Sequence, residues 1–286
     1  MSKANRVKSD LDDVTSLLEI ISVLKDVATN HFFSSGKRKQ RFAEFAIAFT
    51  EFFRMVSLSN ARSPLVHSEV DKTAVVLITS EGGFMGDITS KLVKKAAAEA
   101  ESSKAEEIIS IGSKGARKIK LLTDRKITIF SNIEEIGLYN TVLKVKDYII
   151  KQVKEKKIGR ILSVYPRAIS LNFIKPVIVK LLPSDELLSK QENIKDTIEK
   201  VIVETDLNAV ITYLADTWLT CRLYEMVEDC VIAGYAAQSQ QLEASVDRLK
   251  KEKKGLVLSF RKAKKGDIDK SLREVFTAKM MSGGKR

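Results

Sequence analysis

Residues 235–256 of the chain read YAAQSQQLEASVDRLKKEKKGL. Apolar residues return in it at every seventh position, at Tyr235, Leu242, Leu249 and Leu256. A period of seven places these side chains in one seam along a helix, which is the pattern of a coiled coil. The chain has no proline after Pro183, so no proline interrupts this helix. We therefore predict one helix over residues 206–281, which at about 1.5 Å per residue is on the order of 110 Å long.

A helix of that length needs a second long helix or a partner protein to cover its seam, and the N-terminal segment can supply one. Residues before Pro64 are also free of proline, and their apolar positions repeat at helical spacing. The first group is Leu11, Val14, Leu18, Ile21, Leu24, Ala28 and Phe32, and the second is Phe42, Phe45, Phe49, Phe52 and Val56. We predict a helix over residues 9–59, roughly 75 Å long, with Ser34–Gly36 as the place for a bend. Apolar stripes on both ends of one chain predict an antiparallel coiled coil, with an ordinary helical bundle as the alternative.

The middle of the chain alternates short apolar runs with helical segments. Residues 73–79, TAVVLIT, form the first run, which has the composition of a buried strand. Further strands are expected at 108–111, 127–130, 161–165 and 169–182, and helices at 87–102, 113–122 and 133–154. This alternation predicts a mainly parallel, three-layer α/β domain whose last two strands form a hairpin. The expected domains are an N-terminal coiled-coil helix at 1–62, the α/β (Rossmann-like) domain at 72–185 and a C-terminal coiled-coil helix at 195–286.

The charge balance indicates an acidic partner. Lys and Arg number 49 against 37 Asp and Glu, for a net charge of +12. Nucleic acid, anionic lipid and an acidic protein all fit this charge, which does not choose among them. No run of about eighteen apolar residues occurs and residues 1–13 are polar, so we expect neither a membrane span nor a secretory signal. A cytoplasmic location is expected.

Side chains for metal or nucleophilic chemistry are scarce. The two cysteines, Cys221 and Cys230, lie nine residues apart on the predicted helix, where at roughly 100° per residue they face opposite sides. We expect no disulfide and two inert, buried thiols in a reducing compartment. His31 and His67 are the only histidines, which argues against a histidine-rich metal site and a Cys/His catalytic pair. We expect no catalytic residue and no bound metal.

A glycine-rich turn, Glu81–Gly86, follows the first strand, where some α/β proteins bind a nucleotide phosphate. It lacks the first glycine of the dinucleotide motif and the Lys-Ser/Thr ending of a phosphate loop. We therefore expect no cofactor and a tight turn with positive φ angles, and the same for Gly112–Gly115 after the second strand. The acidic pairs Glu106–Glu107 and Glu134–Glu135 are expected on solvated faces and not in a general acid/base site.

The densest charge lies on the C-terminal helix. The basic run Arg248–Lys254 is continued by Arg261, Lys262, Lys264 and Lys265. A solvated helical surface, a nucleic-acid site and a site for an acidic protein are the alternatives. Nucleic-acid binding is disfavoured because Phe260 is the only aromatic residue interleaved with these charges. An acidic protein is the main functional interpretation, with Lys and Arg supplying long-range attraction and contacts at the rim.

Several strings resemble the gamma subunit of F-type ATP synthases. Residues 79–86, TSEGGFMG, are similar to the family's Thr-Ser-Asp-Arg-Gly-Leu-Cys-Gly turn, and residues 111–115, IGSKG, to its Ile-Gly-Lys-Lys-Gly. Lys175–Val177 with Leu181–Pro183 matches its Lys-Pro and Leu-Leu-Pro strand. Looser matches at the two ends are Val7–Ser9, Ile20, Val27–Ala28, Ile268 and Glu274–Val275. The resemblance spans nearly the whole chain, and its parts come in the order derived above.

The chain departs from the family's pattern in its helices. Ser22–Ala28 stands where the family has Lys-Ala-Met-x-Met-Val-Ala, and the family's Ser-Glu-His segment is absent. Lys264 and Lys265 stand where the family has an Arg-Gln pair that contacts a catch loop of the catalytic subunit. Two lysines can reach acidic or carbonyl groups but lack the bidentate geometry of Arg. The chain is thus identified as a divergent member.

The resemblance implies a non-enzymatic central-stalk rotor subunit of a rotary F-type ATP synthase or ATPase. Its paired helices would turn inside a hexamer of alpha and beta subunits, coupling ATP synthesis or hydrolysis to ion translocation through the membrane c-ring. The α/β domain would face the epsilon subunit and this ring, peripheral to the cytoplasmic face of the inner membrane. The residues expected to bind the hexamer are Arg248, Lys254, Arg261, Lys264, Lys265 and Lys25. The alternatives are a rotor of an F-type-like ATPase with a role other than ATP synthesis, and a non-enzymatic coiled-coil adaptor.

Overall fold

The structure is a computed structural model, and it describes residues 3–56, 63–66, 68–83, 85–131, 137–184 and 207–283. Within these residues the elements are, in chain order, α1 Lys3–Val56, β1 Thr73–Ile78, α2 Ile88–Ser102, β2 Glu107–Ile111, α3 Ser113–Ile119, β3 Lys126–Phe130, α4 Leu138–Lys154, β4 Arg160–Ser170, β5 Phe173–Leu182 and α5 Leu207–Gly283. The chain forms two compact units. Unit 1 comprises Met1–Ala28 and Ser239–Arg286, and unit 2 comprises Thr29–Gln238.

The C-terminal helix has nearly the predicted bounds, whereas the N-terminal helix begins at Lys3, six residues before the predicted start. α5 has 77 residues, which at 1.5 Å per residue is about 115 Å. α1 has 54 residues and remains helical through Ser34–Gly36, where a bend was expected. Residues 57–59 of the predicted N-terminal helix and residues 133–136 of the predicted fourth helix lie outside the described residues.

Unit 2 contains a five-stranded sheet with the strand order β3-β2-β1-β4-β5. β1 pairs in parallel with β2 and β4, and β2 pairs in parallel with β3. β5 runs antiparallel to β4, so the predicted hairpin is confirmed. Its turn comes later than predicted, because Ile169 and Ser170 belong to β4 and Ser170 pairs with Phe173.

The sheet separates two hydrophobic clusters, since successive side chains of a strand point to opposite faces. Ala74, Val76 and Ile78 of β1 belong to the cluster that includes residues of α4 and α5. Val75 and Leu77 belong to the cluster that includes residues of α2 and α3. Helices therefore cover both faces of the sheet, as a three-layer α/β unit requires. The predicted fold class, an α/β domain with long coiled-coil helices, is confirmed.

Glycines shape the turns at the carboxyl ends of β1 and β2. Gly112 has a φ of +102°, and a Cβ there would lie 2.1 Å from the carbonyl oxygen of Thr79. Gly115 has no positive φ, but a Cβ there would lie 2.4 Å from Thr79 Oγ1, which accepts a hydrogen bond from Gly115 N at 3.2 Å. Among the three glycines of the Gly82–Gly86 turn, all of which the structure describes, only Gly86 has a positive φ, +54°. The predicted positive φ angles thus occur at Gly86 and Gly112, whereas Gly115 is needed for close packing.

Glu107 is buried, and the prediction of a solvated Glu106–Glu107 pair is wrong at this residue. It lies on β2 and is 4% exposed. Its carboxylate accepts hydrogen bonds from Thr128 Oγ1 and, at 2.6 Å, from Tyr148 OH, and pairs with Lys126 at 3.1 Å. These partners come from β3 and α4 and compensate the carboxylate for the lost water. The other predicted pair, Glu134–Glu135, lies outside the described residues.

Within unit 2, α1 and α5 pair in opposite directions. His31 stacks on Tyr235 with the ring centroids 5.0 Å apart, and Lys39 forms an ion pair with Asp229. A step forward along α1 from residue 31 to 39 thus corresponds to a step backward along α5 from 235 to 229. The pair is antiparallel, as predicted.

Within unit 1, the α5 segment has the apolar seam that the sequence indicated. Leu242, Val246 and Leu249 are 3%, 2% and 9% exposed, and half-buried residues follow at heptad positions 253, 256 and 260. Lys25, near the end of the unit's α1 segment, pairs at 3.0 Å with Glu243, near the start of its α5 segment. The end of one segment meets the start of the other, which is the arrangement of an antiparallel coiled coil.

Candidate partner-binding surface

Five of the predicted partner-binding residues are exposed on the α5 segment of unit 1: Arg248, Lys254, Arg261, Lys264 and Lys265. At about 100° per residue, the last four fall within an arc of about 100° around the helix. We call these four residues the basic face. Arg248 lies about 100° or more from each of them and projects from another side. The helix therefore brings four of the predicted residues together and separates the fifth.

Lys25, the sixth predicted residue, lies on α1 and is already engaged within unit 1. Its side chain is 27% exposed and pairs with Glu243 at 3.0 Å and with Asp26 at 3.6 Å. The hydrogen bond to Glu243 raises the pKa of Lys25. Lys25 thus helps to pair α1 with α5. The sequence alone could not predict this role, because the partner Glu243 lies far away along the chain.

The end of α5 carries large apolar side chains that are more than half exposed. They are Ile268, Leu272, Val275, Phe276, Met280 and Met281. We call this set the apolar end. Exposed large apolar side chains in such number at one end of a helix are typical of a site that another protein covers.

A basic pocket of about 410 Å³ lies in unit 2 beside the glycine turn, and the sequence reasoning missed it. The described residues that line it are Gly82, Met85, Gly86, Thr89, Lys114, Arg117 and Lys118. Lys114 Nζ donates to the carbonyl oxygen of Gly82 at 2.5 Å, and Lys118 Nζ donates to Ser90 Oγ at 2.8 Å. This lining contains no carboxylate, imidazole or thiol among the described residues. Its three cationic side chains can attract an acidic group.

Unit 2 also contains an ion cluster around a buried carboxylate, which the sequence did not predict. Asp229 of α5 is 4% exposed, and its carboxylate contacts Lys39 of α1 and, at 3.5 Å, Arg167 Nε of β4. Burial raises the pKa of Asp229, against the opposing effect of Lys39. Burial and the nearby Asp229 also raise the pKa of Tyr165 on β4. We call Lys39, Asp229 and Arg167 the Asp229 cluster.

The cysteines do not form a reactive or bridged pair. Cys221 and Cys230 are both free, as predicted. Cys230 is fully buried, but Cys221 is only half-buried, so the prediction of two buried thiols is wrong for Cys221. Burial raises the pKa of both thiols, most strongly that of Cys230. In the described part of the chain, no group of three or more His, Cys, Asp or Glu residues is placed to hold a metal ion.

A sequence profile of the family described as ATP synthase matches residues 3–279, nearly the full chain. The chain belongs to the gamma-subunit family of ATP synthases. The gamma chain of Histophilus somni (strain 129Pt) is 22% identical over 282 residues, which cover 96% of this chain and 98% of the relative. The gamma chain of Polynucleobacter necessarius is 22% identical over 286 residues, with the same coverage of 96% and 98%.

Solved structures share the fold of this gamma-family chain. A chain of the Euglena gracilis mitochondrial ATP synthase (OSCP/F1/c-ring, rotational state 3) superposes with a TM-score of 0.63 at 15% identity, covering 99% of this chain and 96% of that chain. A chain of the Tetrahymena thermophila mitochondrial ATP synthase (central stalk/c-ring) gives a TM-score of 0.58 at 17% identity, covering 79% and 99%.

Membership of the gamma family fixes the class of function. The chain is a central-stalk subunit of a rotary F-type ATP synthase, and it is not catalytic, because catalysis in this complex belongs to the beta subunits. It works in association with the alpha/beta hexamer and the rotor of a membrane-associated complex. Within the described residues, every helix is too short or too polar to cross a membrane.

Proposed function

We propose that the coiled coil of α1 and α5 turns at the centre of the alpha/beta hexamer and carries the torque between the hexamer and a membrane ring. The observation that carries this proposal is the antiparallel pairing of the two helices, since two helices packed along a seam resist bending and twisting better than one. The two helices differ in sequence, so the coil presents different surfaces on different sides. Its rotation would change the contacts of each catalytic subunit in turn and so couple ATP turnover to rotation.

The basic face is proposed to meet acidic loops of the catalytic subunits. Its four cations are exposed on one side of α5, where they attract negative charge over a Debye length of about 8 Å at physiological salt. Lysine holds an acidic group as a point charge and without the paired hydrogen bonds of arginine. Such contacts suit a surface that passes several subunits during one rotation. Arg248 is proposed to reach another subunit of the hexamer, because it projects from another side of α5. Lys25, whose side chain is 27% exposed, is proposed to contact the hexamer beside its ion pair with Glu243.

Unit 2 is proposed to bind the epsilon subunit and the membrane c-ring at the cytoplasmic face of the inner membrane. Support comes from the Tetrahymena thermophila neighbour, which is a chain of a central stalk with its c-ring. The basic pocket of unit 2 offers a site where an acidic side chain of such a partner can bind.

Affinity purification of the tagged chain from detergent-solubilised membranes tests the assembly. We expect the alpha and beta subunits in excess over the tagged chain, together with the epsilon and ring subunits. Recovery of a nucleotide-binding hexamer without ring subunits would instead support a rotor of an ATPase with a role other than ATP synthesis. Recovery of the chain without any ATPase subunit would contradict the proposal.

Charge reversal at Lys264 and Lys265 tests the basic face. We expect the double variant Lys264→Glu/Lys265→Glu to assemble but to lose ATPase activity or ATP-driven ion pumping, with the largest loss at low salt. The matched control is Lys151→Glu/Lys154→Glu, which makes the same charge change at exposed positions of α4 in unit 2. Unchanged activity and assembly in the first variant would remove the assignment of these two lysines.

A further inference from the structure

The Asp229 cluster joins three elements of unit 2 at one buried point. Asp229 lies on α5, Lys39 lies 190 residues earlier on α1, and Arg167 lies on β4. The side chains of Asp229 and Lys39 are 6% and 20% exposed, so this pair is largely withdrawn from water, whereas the Arg167 side chain is 43% exposed. In a buried ion pair, the attraction between the two charges offsets their lost hydration only if the two groups lie close together in a good geometry.

The Asp229 cluster is not expected to add much to the free energy of unfolding of unit 2. Removing a carboxylate from water costs several kcal/mol, and the raised pKa of Asp229 indicates that its neighbours do not fully compensate that cost. α5 is already held in unit 2 by fully buried apolar side chains, among them Leu219, Leu223 and Val227. A second carboxylate on α5, Glu225, opposes ionisation of Asp229 further. The charges must therefore contribute something that the apolar packing does not.

Charges specify position where apolar seams do not. An apolar seam repeats every few residues, so two helices can pair at more than one offset along it. The Lys39–Asp229 contact exists at one offset only, because a shift of one helical turn moves the partners about 5.4 Å apart. The stacking of His31 on Tyr235 fixes the same offset of α1 on α5. Arg167 connects the sheet to the same point of α5.

We infer that Asp229 is a positioning residue of the rotor: its contacts with Lys39 and Arg167 fix α1 at one offset along α5 and tie both helices to the sheet under torque. A rotor in which α1 slips along α5 would still let the hexamer hydrolyse ATP but would pass on less of the rotation. This inference rests on the rotor role and is independent of the assignment of the basic face.

The test uses membrane vesicles that contain the assembled complex. ATP hydrolysis and ATP-driven ion uptake are measured on the same vesicles, and their ratio reports the coupling. We expect Asp229→Asn to keep hydrolysis at the wild-type rate while the ratio of uptake to hydrolysis falls clearly below the wild-type value. Asp229→Glu keeps the carboxylate and is expected to retain most of the ratio.

The matched control is Asp216→Asn. Asp216 also joins α5 to another element, by an ion pair of 3.1 Å with Lys146 of α4, but this pair does not involve α1 or the sheet. We expect it to leave the ratio unchanged. If Asp229→Asn does not assemble, Lys39→Gln serves in its place, with the same expected fall in the ratio. In the double variant Lys39→Gln/Asp229→Asn the ratio is expected to fall no further than in either single variant.

Three results would overturn the inference: a wild-type ratio in Asp229→Asn, or in Lys39→Gln where that variant replaces it; an equal loss in Asp216→Asn; or an equal loss in Asp229→Glu. A failure of the rotor role itself gives a different result, because the wild-type chain would then not co-purify with ATPase subunits.

Discussion

Replacing Gly112 by alanine tests whether the turn between β2 and α3 depends on glycine. Gly112 has φ +102° and ψ +127°, and strain of this kind costs a residue with a Cβ on the order of 1–3 kcal/mol. The new Cβ would also lie 2.1 Å from Thr79 O, so the backbone has to move. That movement weakens the bonds from Thr79 N to Ile111 O (2.9 Å) and from Gly115 N to Thr79 Oγ1 (3.2 Å), each worth about 1 kcal/mol. We expect the free energy of unfolding of unit 2 to fall by roughly 3–5 kcal/mol, out of about 5–15 kcal/mol for a typical domain.

The assay is urea unfolding of the full chain, followed by tryptophan fluorescence. Trp218 is the only tryptophan in the sequence, and at 7% exposure it lies in the cluster between the sheet, α4 and α5, so it reports on unit 2. Gly83→Ala is the control, because among the described residues no neighbouring atom comes within 4 Å of its Cβ position. We expect this control to change the free energy of unfolding by less than about 0.5 kcal/mol. Equal urea midpoints for the two variants would refute the argument from backbone conformation and packing.

Three further outcomes follow from burial. Leu249→Ala, at a seam position that is 9% exposed, should lower the free energy of unfolding of unit 1 by about 2 kcal/mol in thermal melts, whereas Leu258→Ala, 59% exposed on the same helix, should have little effect. Cys230 should resist a thiol reagent at pH 8 until the chain unfolds, because burial keeps its thiol protonated; fast modification of the native chain would argue against this packing. Burial raises the pKa of Asp229 above its ordinary 3.8, so unit 2 should lose stability as the pH rises from about 3.8 towards that raised value, and Asp229→Asn should remove this part of the pH dependence.

The sequence was sufficient for the features that depend on local spacing. The heptad repeat of α5 predicts residues 206–281, and the helix is observed at Leu207–Gly283. Strand β4 is an exception. It was predicted to end at residue 165, because a central strand is expected to end before a proline, but it extends to Ser170. β4 continues through Pro166 because its pairing with β1 ends at Val164, and beyond that point Pro166 faces only Pro176 of β5. The missing N–H of Pro166 therefore leaves no gap in a ladder with β1.

In the candidate sites too, features that depend on local spacing could be predicted, and features that depend on contacts between distant elements could not. The exposure of the basic face follows from its positions outside the seam, so periodicity was enough to predict it. The burial of Glu107 and of Asp229 could not be predicted, because the groups that compensate them come from other elements, such as Tyr148 for Glu107 and Lys39 for Asp229. From its neighbours in the sequence alone, a carboxylate is predicted to be exposed to solvent. The partners that allow it to be buried come close to it only in the folded chain.

The apolar end of α5 has a consequence for protein quality control. A copy of the chain that has not met its complex would display six large apolar side chains at one terminus, including the oxidisable Met280 and Met281. Such an orphan copy is a ready target for proteases and a seed for aggregation. The cell therefore has to make this chain in balance with the other subunits, or to cover the end of α5 with a chaperone until the complex assembles.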